Sequence, residues 1–154
     1  MNAQHPLNRD QFAHVVRYAP LVSIDLVITD STQHVFVGLR RNEPAKGVLF
    51  VPGGVIRKDE PIGEAFGRIL RAETGHEAPM SAARFLGVFE HFYPNNRFDD
   101  PGYGTHYVVL AYRLQLDRRP EIRLDDQHSE FRWMSAAELL ATPNVHENTK
   151  AYFR

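Results

Sequence analysis

The chain has 154 residues, 43% of them apolar and 24% charged, which is the make-up of one ordinary globular domain with room for a proper core. Its formal net charge is −1, so no global field draws it onto nucleic acid or a membrane surface. It has no cysteine, which excludes disulfides, thiolate metal sites and cysteine nucleophiles and suits a reducing, cytoplasmic compartment.

The start, Met1 to Pro6, has no basic stretch followed by an apolar core, so no secretory leader is expected there. No apolar run approaches the ~20 residues that cross a bilayer. Asn8 to Gln11 has the spacing of a capping box, and Phe12, Val15 and Val16 follow at helical spacing, which predicts a helix over about residues 9–17. Residues 21–29 alternate, with Val22, Ile24, Leu26 and Ile28 on one face and Ser23 and Asp25 on the other, which predicts a strand. Asp25 is unusual in a strand interior; it faces either solvent or a polar ligand. Asp30 to Gln33 reads as a turn, and His34 to Arg40 as the returning strand of a hairpin.

A polar loop carrying Arg40, Arg41 and Lys46 leads to the short apolar strand Val48–Val51. Then comes the stretch that carries most chemistry. Gly53 and Gly54 form a glycine turn, Pro61 suits the first turn of a helix, and Gly75 suits the position just past its end. The helix is expected over about 61–74, with Ala65, Phe66, Ile69 and Leu70 on its buried stripe. A glycine turn before a helix N-terminus offers backbone N–H groups to phosphate oxygens. Glu60 and Arg68 are placed for a structural ion pair. Strands follow over 83–93 and from Thr105 to Leu116, joined by a long loop of the kind that often serves as a lid. After a polar loop containing Gln127 and His128 come a short strand, Phe131–Met134, a helix capped by Ser135 and Glu138, and a last helix over Val145–Phe153. The order of elements points to an α+β or mixed-sheet α/β sandwich in a single domain spanning residues 1–154.

Gly54, Glu60, Arg68, Glu73 and Gly75 stand at the spacing of the Nudix box, about residues 54–76, and the chain resembles that family. The resemblance implies the Nudix fold, a mixed β-sheet sandwiched between helices. The box is incomplete: the carboxylates that usually share a helix face with Glu73 are here Ile69 and Ala72, and His76 stands at an aliphatic position. The GDP-mannose mannosyl hydrolases lack the same two carboxylates. Phe50–Gly54, His91–Tyr93, Thr105–Leu110, Gln127–His128, Arg132–Trp133 and Asn144–His146 resemble that branch as well.

The second resemblance implies a GDP-sugar hydrolase that releases GDP and free hexose, from GDP-mannose and also GDP-glucose, by water attack at the anomeric carbon with inversion. It implies Mg²⁺, with Mn²⁺ as substitute, held by Gly53, Glu73 and Gln127, and His128 as general base. It places Arg40 at the leaving group and Asp25, His91 and Tyr107 near the substrate. Neutral imidazole is a suitable base near neutral pH. Arg68 either touches phosphate or only pairs with Glu60. Arg57 is a candidate phosphate ligand in place of the family arginine that Val55 replaces. A homodimer is expected, with no nucleic-acid or membrane partner. The other readings are an ordinary Nudix pyrophosphohydrolase attacking phosphorus and a non-catalytic nucleotide-sugar binding module.

Overall fold

The computed structural model describes residues 6–122 and 128–154, with side chains in the second segment from residue 130 onward. Helix α1 spans Arg9–Tyr18 and opens with the expected capping box: Asn8 Oδ1 accepts from the Gln11 N–H (2.9 Å), and Gln11 Oε1 accepts from the Asn8 N–H (3.1 Å). Strands β1 (Leu21–Thr29), β2 (Val35–Arg40), β3 (Leu49–Phe50) and β4 (Gly53–Val55) precede helix α2 (Ile62–Thr74). Pro61 is the residue just before α2, and Gly75 ends it at φ 71°, a left-handed conformation that glycine adopts without a Cβ penalty. A 3₁₀ turn (Met80–Ala82) leads to β5 (Arg84–Tyr93), β6 (Thr105–Gln115) and β7 (His128–Met134). Helices α3 (Ala136–Ala141) and α4 (Glu147–Lys150) and a 3₁₀ turn (Ala151–Phe153) close the chain.

All seven strands join one mixed sheet. The core path runs β3-β2-β1-β6-β5, with β4 added on β1 and β7 on β2. β1 runs parallel to β6 along its whole length, from Leu21–Tyr107 to Thr29–Gln115. Three sequence expectations change here. The expected hairpin of β1 and β2 pairs at Thr29–Val35 and then parts, because β4 takes the edge of β1 from Ser23 to Asp25. The glycine turn itself is β4: a methyl group on Gly53 would lie 2.5 Å from Asp25 Oδ1 and 2.7 Å from the Ile24 carbonyl oxygen, so the strand can approach only without a Cβ. The last helix divides into α4 and the 3₁₀ turn.

The sheet has two unlike faces. On one, Ile24, Leu26 and Ile28 of β1 and Phe36 of β2 pack against Ala65, Phe66, Ile69 and Leu70 of α2. On the other, Val27, Val35 and Val37 meet Leu49, Leu139 and Val145. Each fully buried large side chain contributes about 1.5–3 kcal/mol in transfer free energy. The period-2 alternation of β1 and β2 assigns residues to these two cores.

Candidate active site

The loop and helix after β4 form a rigid unit. Arg68 on α2 donates Nε–H to Glu60 Oε2 (2.7 Å) and Nη2–H to Glu60 Oε1 (2.8 Å) and to the Val55 carbonyl (2.8 Å). Glu60 is buried and also accepts the Arg57 N–H (3.0 Å). The Arg68 guanidinium holds the Glu60 carboxyl below its usual range. Of the two readings of Arg68, the geometry contains the ion pair with Glu60; the guanidinium also borders the cavity described below.

Ile69 shows why one of the box's usual carboxylate positions is apolar here. Its side chain is 2% exposed, belongs to the core under α2, and fills the space against the glycine turn, where a methyl on Gly54 would meet its Cγ1 at 2.9 Å. A carboxylate at that position would be a buried charge. Ala72 and Glu73, with Gly53, Gly54 and Arg57, line the near end of a cavity of about 880 Å³.

The middle of the cavity is one face of the sheet. Strand register sets Leu21 beside Tyr107 and Tyr107 beside His91, and residues two apart in a strand share a face, so Asp25, Tyr107 and His91 point to the same side. All three line the cavity, with Tyr93 and Arg40. Asp25 Oδ2 accepts the Tyr152 hydroxyl (2.5 Å). Burial raises the Asp25 carboxyl to about 6, against the opposing pull of the Tyr152 hydrogen bond and the Arg40 charge. His91 is 5% exposed, and burial, with the nearby His146, lowers it to about 4, so it is a neutral imidazole at pH 7. Burial pushes Tyr93 up to about 12 and Tyr107 up as well. Arg40 donates to the Pro44 carbonyl (3.1 Å) and lies 5.9 Å from the Phe50 ring centre. The surface therefore offers neutral donors and acceptors together with one carboxylate and one cation.

Sequence reasoning missed the C-terminal cover of this face. Tyr152 stands edge-on to Phe89 (4.8 Å, 86°) and 6.3 Å from His91. His146 stacks on Phe50 (4.6 Å, 26°) and accepts the Asn148 N–H at Nδ1 (3.0 Å), while Asn148 donates to the Tyr93 hydroxyl (3.1 Å). The alternation of Phe89, His91 and Tyr93 on β5 was the available signal for one half of this cluster; nothing local marks Tyr152.

Gln127 lies outside the described residues. Of His128 the backbone is described: it is paired with Arg40, so residue 128 stands beside the cation that borders the cavity. Among the described residues no group of three or more His, Asp or Glu side chains gathers for a metal. Mg²⁺ takes one or two protein carboxylates and completes its shell with neutral oxygens and substrate phosphates, and the box carboxylate Glu73 at the cavity wall is compatible with that demand. Glu73 and Gly53 both line the cavity at the box end. No helix among the described residues is long and apolar enough to cross a membrane.

A family model described as the NUDIX domain matches residues 19–154. The low-salt glycan biosynthesis protein Agl8 of Haloferax volcanii is 38% identical over 124 residues, covering 80% of this chain and 76% of that protein. The MutT protein of Methanosarcina mazei superposes with a TM-score of 0.69 at 16% identity, over 87% of this chain and 91% of its own. The NUDIX domain of NrtR from Shewanella oneidensis, solved with ADP ribose, superposes with a TM-score of 0.64 at 20% identity, over 95% of this chain and 96% of its own. At these identities the two structures share the fold.

Proposed function

The chain belongs to the Nudix family, and from that premise we propose that it hydrolyses a GDP-sugar, GDP-mannose or GDP-glucose, to GDP and free hexose by water attack at the anomeric carbon. The observation that carries this reading is the division of labour in the cavity. Of the three carboxylate positions of the box, Ala72 and the buried Ile69 occupy two and Glu73 alone remains, so the family's usual carboxylate base is missing. The sheet face supplies instead the hydroxyl-reading groups Asp25, His91 and Tyr107. The glycan-biosynthesis name of the Haloferax relative and the ADP ribose bound by a fold neighbour support a substrate of this class.

In this reading Asp25, His91 and Tyr107 hold the sugar hydroxyls. His128, beside Arg40 in the sheet, takes a proton from water as the water oxygen bonds to C1 and the bond from C1 to the GDP oxygen breaks with inversion. Arg40 and Arg57 stabilise charge on the departing diphosphate. Glu73, the Gly53 carbonyl and Gln127 would hold Mg²⁺, or Mn²⁺ in its place, which supplies further electrostatic stabilisation of the leaving group.

Product analysis in ¹⁸O-water tests the reaction. GDP and labelled mannose are expected from GDP-mannose and Mg²⁺. GMP with mannose 1-phosphate, or binding without turnover, overturns the proposal. His128→Gln is expected to lower kcat by roughly 10²–10⁴-fold with KM little changed; near wild-type kcat removes His128 from the base role.

A further inference from the structure

The sheet face carries one more hydroxyl that the chemistry above leaves unused, that of Tyr93, the last residue of β5. Its ring is held from three sides. Tyr107 meets it edge-on (6.0 Å, 83°), and the ring centres of His146 and Phe50 lie at 5.6 Å and 6.5 Å. Tyr93 stands two residues from His91 on the same strand face and lines the same cavity. Burial pushes its phenol up to about 12, so at neutral pH the hydroxyl keeps its proton.

The direction of that proton is set from the C-terminal side. Asn148 Nδ2 donates to the Tyr93 hydroxyl oxygen (3.1 Å), so the oxygen has accepted and its own O–H is left to give. Among the described residues no group accepts it. Asn148 is itself fixed: it is the second residue of α4, and its backbone N–H is taken by His146 Nδ1 (3.0 Å). His146 is held in turn by its stack on Phe50 (4.6 Å, 26°). On the same face Asp25 is an acceptor, with Oδ2 already occupied by Tyr152. The C-terminal residues therefore present Tyr93 as a donor and fill one oxygen of Asp25. A largely desolvated donor with a fixed ring and no acceptor in the protein is complete only when a ligand brings an oxygen.

We propose that Tyr93 is a further specificity-determining residue that gives its hydroxyl proton to one hydroxyl oxygen of the hexose, and that Asn148 is the positioning residue that turns it there. The assignment rests on the nucleotide-sugar reading of the cavity. Tyr93 shares its face with Asp25, His91 and Tyr107, so the oxygen it reads belongs to the sugar and not to the diphosphate at the box end.

Calorimetric titration of the full chain with GDP-mannose and with GDP, both without divalent ion, measures what the sugar adds. Tyr93→Phe is expected to weaken GDP-mannose by roughly 3–10-fold and leave GDP nearly unchanged. Asn148→Asp keeps the shape but only accepts, so it takes the Tyr93 proton. It is expected to weaken GDP-mannose by as much, although the phenol is still present; a ring that served packing alone would not respond. Among GDP-mannose analogues that each lack one sugar hydroxyl, one is expected to bind wild type more weakly and to lose nothing further in Tyr93→Phe. Equal loss of GDP and GDP-mannose in Tyr93→Phe would mean a phosphate contact or a disturbed fold and overturns the proposal. So does wild-type GDP-mannose affinity in Tyr93→Phe or Asn148→Asp, or a wild type to which the sugar adds nothing. If GDP-mannose with Mg²⁺ is not hydrolysed while both losses are seen, the sugar contact stands and the hydrolase reading falls. Hydrolysis with unchanged sugar affinity in Tyr93→Phe gives the reverse.

Discussion

The two faces of the sheet differ by one step along the same strands. From Ile24, Leu26 and Ile28 the side chains enter a core closed by Phe66, Ile69 and Leu70 of α2, a contact of carbon on carbon. From Asp25, one residue along, the chain reaches a face where a carboxylate, a neutral imidazole and tyrosine hydroxyls are packed together under Tyr152 of the last 3₁₀ turn. The first arrangement gains stability from every group it buries. The second gives some away, because each buried polar group needs a partner and each charge resists desolvation. The loss is confined to the face that borders the cavity, and the α2 face can carry it. Phe66→Ala attacks that support directly. The fully buried ring is expected to leave a loss of about 3–5 kcal/mol in urea unfolding, with kcat/KM of the folded fraction nearly unchanged. A loss below ~1 kcal/mol would show that α2 is not the stabilising partner of the sheet.

The same contrast decides what could be read from the sequence. α2 was legible because its apolar residues repeat at the helical period and Gly75 stops it. The lost carboxylates of the box were legible for the same reason, as fixed positions on that helix. Asp25 was legible as an anomaly in an alternating strand, although only the register with β6 and β5 decides that it shares a face with Tyr107 and His91. β4 was not legible, because two glycines carry no alternation. Tyr152 was not, because it meets Asp25 from 127 residues away in the chain. Gln127 and the His128 side chain rest on the resemblance.

His91 turns the contrast into a pH dependence. Its folded pKa of about 4 is below the unfolded value of 6.5, so the folded state binds the proton less well. Its contribution to stability is complete above 6.5 and is lost as pH falls toward 4. Asp25, Tyr152, Tyr107 and His146 are the titratable groups around it, and His146, also lowered by burial, acts in the same direction. The His91 share of the loss between pH 7 and pH 4.5 is on the order of 2 kcal/mol. His91→Leu is expected to lose that much less stability than wild type over this interval, measured by urea unfolding at the two pH values. Parallel losses would place the acid sensitivity elsewhere.

Tyr152→Phe is the smallest and sharpest cut. It keeps the ring against Phe89 and removes only the hydroxyl that Asp25 accepts. At pH 7 Asp25, with a folded pKa of about 6, is mostly ionised, and a hydrogen bond to a charged acceptor is the stronger kind. Removing it is expected to lower stability by about 1–2 kcal/mol at pH 7. The sign of the pH effect follows from the same values. The Asp25 pKa is raised above its unfolded 3.8, so ionisation of this carboxylate weakens the fold as pH rises through 6, and loss of the Tyr152 donor weakens it further. At pH 5 the carboxyl is mostly neutral in the folded state, and the difference between wild type and Tyr152→Phe is expected to shrink. A deficit that is equal at both pH values would mean that the hydroxyl serves packing alone, and that the polar face is not held in its ionised form by the C-terminal turn.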